Sequence, residues 1–485
     1  MKIPKCMSTQ HPDNVYSPFF TESSEIGGED EILEAYYAYS HLGCDEQMWD
    51  CEGKEIDNYV IKKLITRYSN YFDQNRLGKD VFLTLRVPNP TVEKAEAKIL
   101  VETLESIPRS FDASKLTYKD DIPPIFEVIL PMTTSAICVD RVYRYYRDFV
   151  VGKQNQSFTE DDITIADWIG KFAPDRINVI PLVEDKENML NSDKILRKYL
   201  QDKDPEYHRL FFARSDPAMN YGLISAVIVN KIAHQRIHHL SEELSIPIYP
   251  IIGVGSAPFR GNLRPGNVER VSKEYPSVET FTIQSAFKYD YPHEEVTKGI
   301  KKLMSRTVKR PHLIEEDRCL GVLERYIEEY EKQIKLLAPF INKVAKYVPK
   351  RRKRKLHIGL FGYSRSMGEI VLPRAITFTA ALYSIGIPPE ILGFNALTAK
   401  DFDIVRNAYL NLEEDLADAL RYFNPDIGIL PDDVMKNLRE FSIDYEPDEE
   451  HLKITSEIAK SIKQIKSVDL SQQVLMAASI RQFLG

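Results

Sequence analysis

The chain has 485 residues, 43% of them apolar and 28% charged, with 64 basic against 72 acidic side chains and a net charge of −8. That composition supports a large core and excludes wholesale disorder, and the acidic balance argues against a dedicated nucleic-acid binder. No run approaches roughly 18 consecutive apolar residues and the start has no apolar signal segment, so a cytoplasmic chain without a membrane span is expected.

In chain order, short apolar runs recur, each ending at a polar, charged or turn residue and most leading into a helical stretch. They are Gln47–Asp50, Val81–Leu85 before Arg86, Ile125–Leu130 before Pro131, and Ile177–Val183 before Glu184. Leu210–Ala213 before Arg214-Ser215-Asp216, Ile246–Ile252, Thr280–Ile283 and Leu356–Phe361 follow. Continuous apolar strands are what a parallel sheet covered on both faces requires. Val92–Ser106 and Met219–Leu244 carry helical periodicity between them. Eight such strands predict an α/β fold, a (β/α)8 TIM-type barrel; a doubly wound open sheet is the competing architecture. The charged strand ends favour the barrel, whose active groups sit at the C-terminal ends of many strands.

No linker divides the chain, so residues 1–485 are expected to form one barrel-based domain. It carries a helical insertion at about 291–355 and a helical C-terminal region at about 395–485, packed outside the barrel. In the insertion, Leu320, Leu323, Ile327, Tyr330, Ile334 and Leu337 form one helical stripe, which Pro339 is expected to end. The basic run Lys350–Lys355 reads as a solvated loop or as a partner for acidic neighbours rather than a nucleic-acid patch. The five cysteines fit no disulfide or zinc pattern; His41, Cys44 and Cys51 lack a fourth ligand and read as reduced thiols near a core.

Glu184 and Asp216 end neighbouring strands in this reading. Two carboxylates at one barrel mouth suit a hard divalent cation, although each equally suits the cap of the following helix. Arg86, Arg214, Arg260, Arg365 and Arg374 gather at the same end, which points to a small, multiply charged anion. Arg260 lies in a loop of small residues, 253–263, that offers backbone N–H groups to an anion. No phosphate-loop or dinucleotide fingerprint is present, which argues against a nucleotide. His11, in the polar segment Met7–Asn14, is an acid or base if that segment folds over the mouth.

These residues stand in long motifs. They include MSTQHPDN (7–14), MWDCEGK (48–54), LRVPNP (85–90), VIPLVED (179–185), FARSDPAMNYG (212–222), GSAPFRGNL (255–263) and GYSRSMGEIVLPRAI (362–376). Over essentially its whole length the chain resembles archaeal-type phosphoenolpyruvate carboxylase. The resemblance implies Mg²⁺-dependent carboxylation of phosphoenolpyruvate by bicarbonate, with Mn²⁺ as a substitute, by a homotetramer without nucleic-acid or membrane partners. It implies Glu184 and Asp216 as metal ligands and His11 and Arg260 as catalytic residues. Arg86, Arg365 and Arg374 become the ligands of phosphate and carboxylate groups. Closure of the N-terminal segment or of the Arg260 loop would exclude water, which otherwise protonates the enolate to pyruvate. Another phosphoenolpyruvate or pyruvate barrel lyase, or a non-enzymatic anion binder, remains the alternative on the residues alone.

Overall fold

The computed structural model describes residues 2–51, 57–94, 97–353 and 370–485 apart from 432, 435–439, 442 and 464–467, and the backbone alone of 365–367. Eight parallel strands close into a barrel: β1 (Cys6–Ser8), β2 (Glu46–Asp50), β3 (Phe82–Arg86), β4 (Glu127–Leu130), β5 (Asn178–Val183), β6 (His208–Ala213), β7 (Ile248–Gly253) and β8 (Thr280–Ile283). Seven of the predicted runs land on β2 to β8. The first strand was not among them: β1 is three residues long, and it closes the barrel by pairing Met7 with Glu46 of β2 and Thr282 of β8. Residues 356–361, expected as the eighth strand, lie outside the described residues. The barrel closes without them, because β1 occupies the edge of β8 that they would need.

The barrel interior is layered by alternate strands. At its lower end Arg209 of β6 pairs with Glu46 of β2 at 2.7 Å and Glu127 of β4 at 2.8 Å, and donates to Thr280 of β8. All four are buried, so each charge keeps a partner where water is absent. Above them Met7, Met48, Ile129, Ile180, Leu182, Phe211, Ala213 and Ile251 form an apolar plug.

Helices surround the barrel, and five matter for the mouth. They are α1 (Glu29–Tyr37), α2 (Ser215–Tyr221), α3 (Leu223–Leu244), α4 (Glu316–Val344) and α5 (Ala375–Ser384). The helix expected over 219–244 is divided between α2 and α3 at Gly222. Its φ is 83°, and a Cβ there would lie 2.6 Å from the ring of Tyr326.

In α4 the predicted stripe faces the molecule's own core. Leu323, Tyr330, Ile334 and Leu337 are buried, and Leu320 and Ile327 partly so. Pro339 does not end the helix, which continues to Val344. Pro339 lies on the exposed side, where water can serve the freed carbonyl, while Ile341 and Val344 extend the buried stripe. One apolar cluster runs from Ile32 through α4 to Ala477, so the insertion and the C-terminal helices share a core with the barrel's helices. The chain's last residues do not stay outside: the N–H of Leu484 donates to the carbonyl of Asp13 at 2.7 Å. All five cysteines are buried and free. Among the described residues no single helix is long and apolar enough to cross a membrane.

Candidate active site

A cavity of about 590 Å³ opens at the C-terminal ends of the strands. His11, Arg86, Glu184, Asp216, Arg260 and Arg374 all line it. The side chain of Arg365, at the start of the short strand Arg365–Met367, lies outside the described residues. Chain order scatters the six over more than 360 positions; the closed barrel brings them to one mouth.

The two carboxylates come from neighbouring strands. Glu184 directly follows β5, and its Oε2 accepts the N–H of Met132 at 2.9 Å. Asp216 sits in the first turn of α2, three residues past β6. Burial pushes the Asp216 carboxyl above its usual range, while Arg374, Arg260 and Arg86 pull it down. Asp216 therefore lies within electrostatic reach of three guanidinium groups.

Arg260 is the most constrained of these. Its Nε donates to Ser215 Oγ at 3.1 Å and its Nη2 to Gln284 Oε1 at 2.6 Å. Its Nη1 donates to Asp13 Oδ2 at 3.3 Å and to the carbonyl of Gly485 at 2.7 Å. Four of its five donors are thus directed at the protein. Burial lowers the Arg260 pKa, and Asp13 and Asp216 oppose that. Gly255 makes the arrangement possible, since a Cβ there would lie 2.9 Å from Nη1.

The 253–263 loop was expected to present N–H groups to an anion. Most are instead spent on the protein. Those of Gly255, Arg260, Gly261, Asn262 and Leu263 go to carbonyls within the loop, and that of Phe259 goes to Glu390 Oε1 at 2.5 Å. The loop folds on itself as tight turns, so it positions Arg260 and does not cradle a ligand with its backbone. Arg214 also lines the cavity and supports the loop, donating to the Tyr275 hydroxyl and the Phe259 carbonyl, each at 3.2 Å.

Arg86, at the end of β3, is gripped by Asp50 at the end of β2 through two parallel bonds of 3.0 Å. That pairing fixes the plane of its guanidinium. His11 follows β1. Its Nδ1 lies 2.9 Å from Thr9 Oγ1, and its carbonyl accepts the N–H of Ser285. The preceding residues are held by Lys288, which donates to Ser8 Oγ, the Thr9 carbonyl and Glu34. Beyond His11, Asp290 accepts the N–H groups of Val15 and Tyr16. Both segments expected to close over the mouth are thus tied into its wall.

Asp13, Asp50, Ser215 and Gln284 were not singled out from the sequence. Asp13, Asp50 and Ser215 lie inside the quoted motifs and Gln284 directly follows β8, while Asp50 ends a strand opposite Arg86. Only the folded barrel shows that Asp50 holds Arg86 and that Asp13, Ser215 and Gln284 hold Arg260.

Arg86, Arg260 and Arg374 line one cavity with Glu184 and Asp216, a set of side chains that suits a small, multiply charged anion. The fold places it among barrel enzymes that work at their strand ends. The family is then settled by comparison. A family model described as phosphoenolpyruvate carboxylase matches residues 3–485. Phosphoenolpyruvate carboxylases of Methanospirillum hungatei and Methanothermobacter thermautotrophicus are each 58% identical over 485 residues, covering 100% of both chains. That of Pyrococcus furiosus is 53% identical over 486 residues, again covering 100% of both. The chain belongs to the phosphoenolpyruvate carboxylase family.

Proposed function

We propose that this chain joins bicarbonate to phosphoenolpyruvate, releasing oxaloacetate and phosphate, with Mg²⁺ or Mn²⁺ held by Glu184 and Asp216. The observation that carries this reading is the convergence of both carboxylates and of Arg86, Arg260 and Arg374 on one cavity in a chain of this family.

The donor set fits the cation. Among the described residues no group of three or more His, Cys, Asp or Glu side chains forms an all-protein cage. Mg²⁺ is commonly held by one or two carboxylates, with substrate and waters completing its shell. When bound, it supplies positive charge beside the enolate oxygen.

The chain's own residues do the rest. Arg86 and Arg374, with Arg365, neutralise phosphate and carboxylate oxygens while the phosphoryl group passes to bicarbonate, giving carboxyphosphate and an enolate. Arg260, with one donor left, stabilises charge on the transferring group. His11 takes the carboxyl proton of carboxyphosphate, which separates into carbon dioxide and phosphate; the enolate carbon then attacks carbon dioxide. Thr9 positions the ring of His11. Its Oγ1, 2.9 Å from Nδ1, also lies near the Ile283 carbonyl, so the imidazole is oriented from the end of β1. Met48, Leu182, Phe211 and Ala213 form apolar wall that disfavours water, which would protonate the enolate to pyruvate. A cytoplasmic homotetramer belongs to the same proposal; the five free, buried thiols suit a reducing compartment.

The test is His11→Asn, which keeps a hydrogen-bonding group but accepts no proton at neutral pH. Oxaloacetate formation is expected to fall at least about 100-fold, while phosphate release continues and pyruvate accumulates. A paired assay of pyruvate and oxaloacetate reads this. Oxaloacetate at close to the normal rate would place the base elsewhere, and complete loss of phosphate release would place His11 in an earlier step.

A further inference from the structure

The basic run takes no part in the chemistry above, yet the fold carries its described residues, 350–353, to the cavity. Lys350, Arg351, Arg352 and Lys353 all line the mouth. The two arginines are buried anchors. Arg351 donates to the carbonyls of Asn14 and Val15, just beyond His11. Arg352 donates to Glu31 at 2.8 Å and Glu34 at 2.9 Å, both on α1. The backbone is fixed as well. The N–H of Ile26 donates to the Arg351 carbonyl at 3.0 Å, and that of Lys353 donates to the Ile26 carbonyl at 2.8 Å.

Lys350 and Lys353, on either side of the anchors, are exposed and have no ion pair among the described residues. Glu25 is the acidic neighbour on this rim. Two exposed ammonium groups are thus held at the entrance of a cavity on a chain whose net charge is −8. An acidic surface repels an anionic substrate at long range, and a basic rim at the entrance reverses that field locally.

We propose that Lys350 and Lys353 form an electrostatic collar that draws anionic substrate, a phosphate ester bearing a carboxylate, from solvent into the cavity. The collar acts on capture and not on chemistry. It rests on the carboxylase reading and extends it to the approach of substrate.

The experiment is steady-state kinetics of the full-length Lys350→Gln/Lys353→Gln variant with phosphoenolpyruvate varied, repeated from low to high salt. Screening contracts from about 30 Å at 0.01 M to about 3 Å at 1 M ionic strength. At low salt kcat/KM is expected to fall about 3- to 10-fold, with kcat within about twofold, and the difference vanishes near 1 M. The fall is larger for phosphoenolpyruvate than for singly charged bicarbonate. Lys298→Gln, at an exposed lysine that does not line the cavity, leaves the salt dependence unchanged. A double variant with the wild-type kcat/KM and salt slope overturns the collar. So does a loss that persists undiminished at high salt, which would mean direct contact with bound substrate. A wild-type chain that forms no oxaloacetate at any salt contradicts the carboxylase reading instead.

Discussion

Asp216 holds the charge balance of the mouth. Burial disfavours its ionised form, and Arg374, Arg260 and Arg86 favour it. Asp216→Asn removes that negative charge without changing the side chain's size. The expected outcome is a folded chain, judged by its melting temperature, whose oxaloacetate formation falls at least about 100-fold because an amide is a poor Mg²⁺ ligand. Near-normal turnover in the folded variant would remove Asp216 from the metal site. Residues of this kind were legible from the sequence because they directly follow apolar strands or sit in long motifs: Glu184 after β5, Asp216 after β6, His11 in its polar segment. The residues that aim Arg86 and Arg260 were not. Asp50 matters through Arg86 on the next strand, Gln284 through Arg260 in the loop after β7, and Asp13 meets Arg260 from 247 positions away.

Individual elements hold the site through contacts of high specificity. Glu390, in the short turn Pro389–Ile391 beyond α5, accepts the Phe259 N–H and the Tyr383 hydroxyl at 2.6 Å. It ties the C-terminal region to the loop that carries Arg260. Burial pushes its carboxyl from about 4.5 to about 7, with the Tyr383 hydroxyl pulling the other way. Its folded pKa is raised, so the folded chain keeps a proton that the unfolded chain has already released. Stability therefore falls as pH rises from about 4.5 to about 7, and levels off above that. Glu390→Gln cannot ionise, so its melting temperature should gain on the wild type across that window; parallel curves for the two chains would contradict the assignment. Elements were legible where hydrophobic pattern and length agreed, as in β5, β6 and α4. The pattern failed at β1, where three residues give no period to read. It also failed at Pro339, where burial of Ile341 and Val344 outweighs one missing backbone bond, while the run at 356–361 lies outside the described residues.

At the scale of the whole molecule, distant parts of the chain meet around one opening. The segment after β1 carries His11, and its residues Asp13 to Tyr16 contact Leu484, Arg351 and Asp290. The insertion's end supplies the basic rim, and the C-terminal residues reach Arg260. The barrel was predictable as a type of fold. That both flanking regions return to its mouth was not, because nothing in their local pattern records which surface they cover. The claim on which the rest depends is that this mouth carboxylates phosphoenolpyruvate. The most direct measurement is a coupled assay for oxaloacetate in which phosphoenolpyruvate, bicarbonate and Mg²⁺ are each withheld in turn. Oxaloacetate is expected only when all three are present. Phosphoenolpyruvate consumed at an undiminished rate without bicarbonate would contradict carboxylation and turn the same barrel mouth into that of a different lyase.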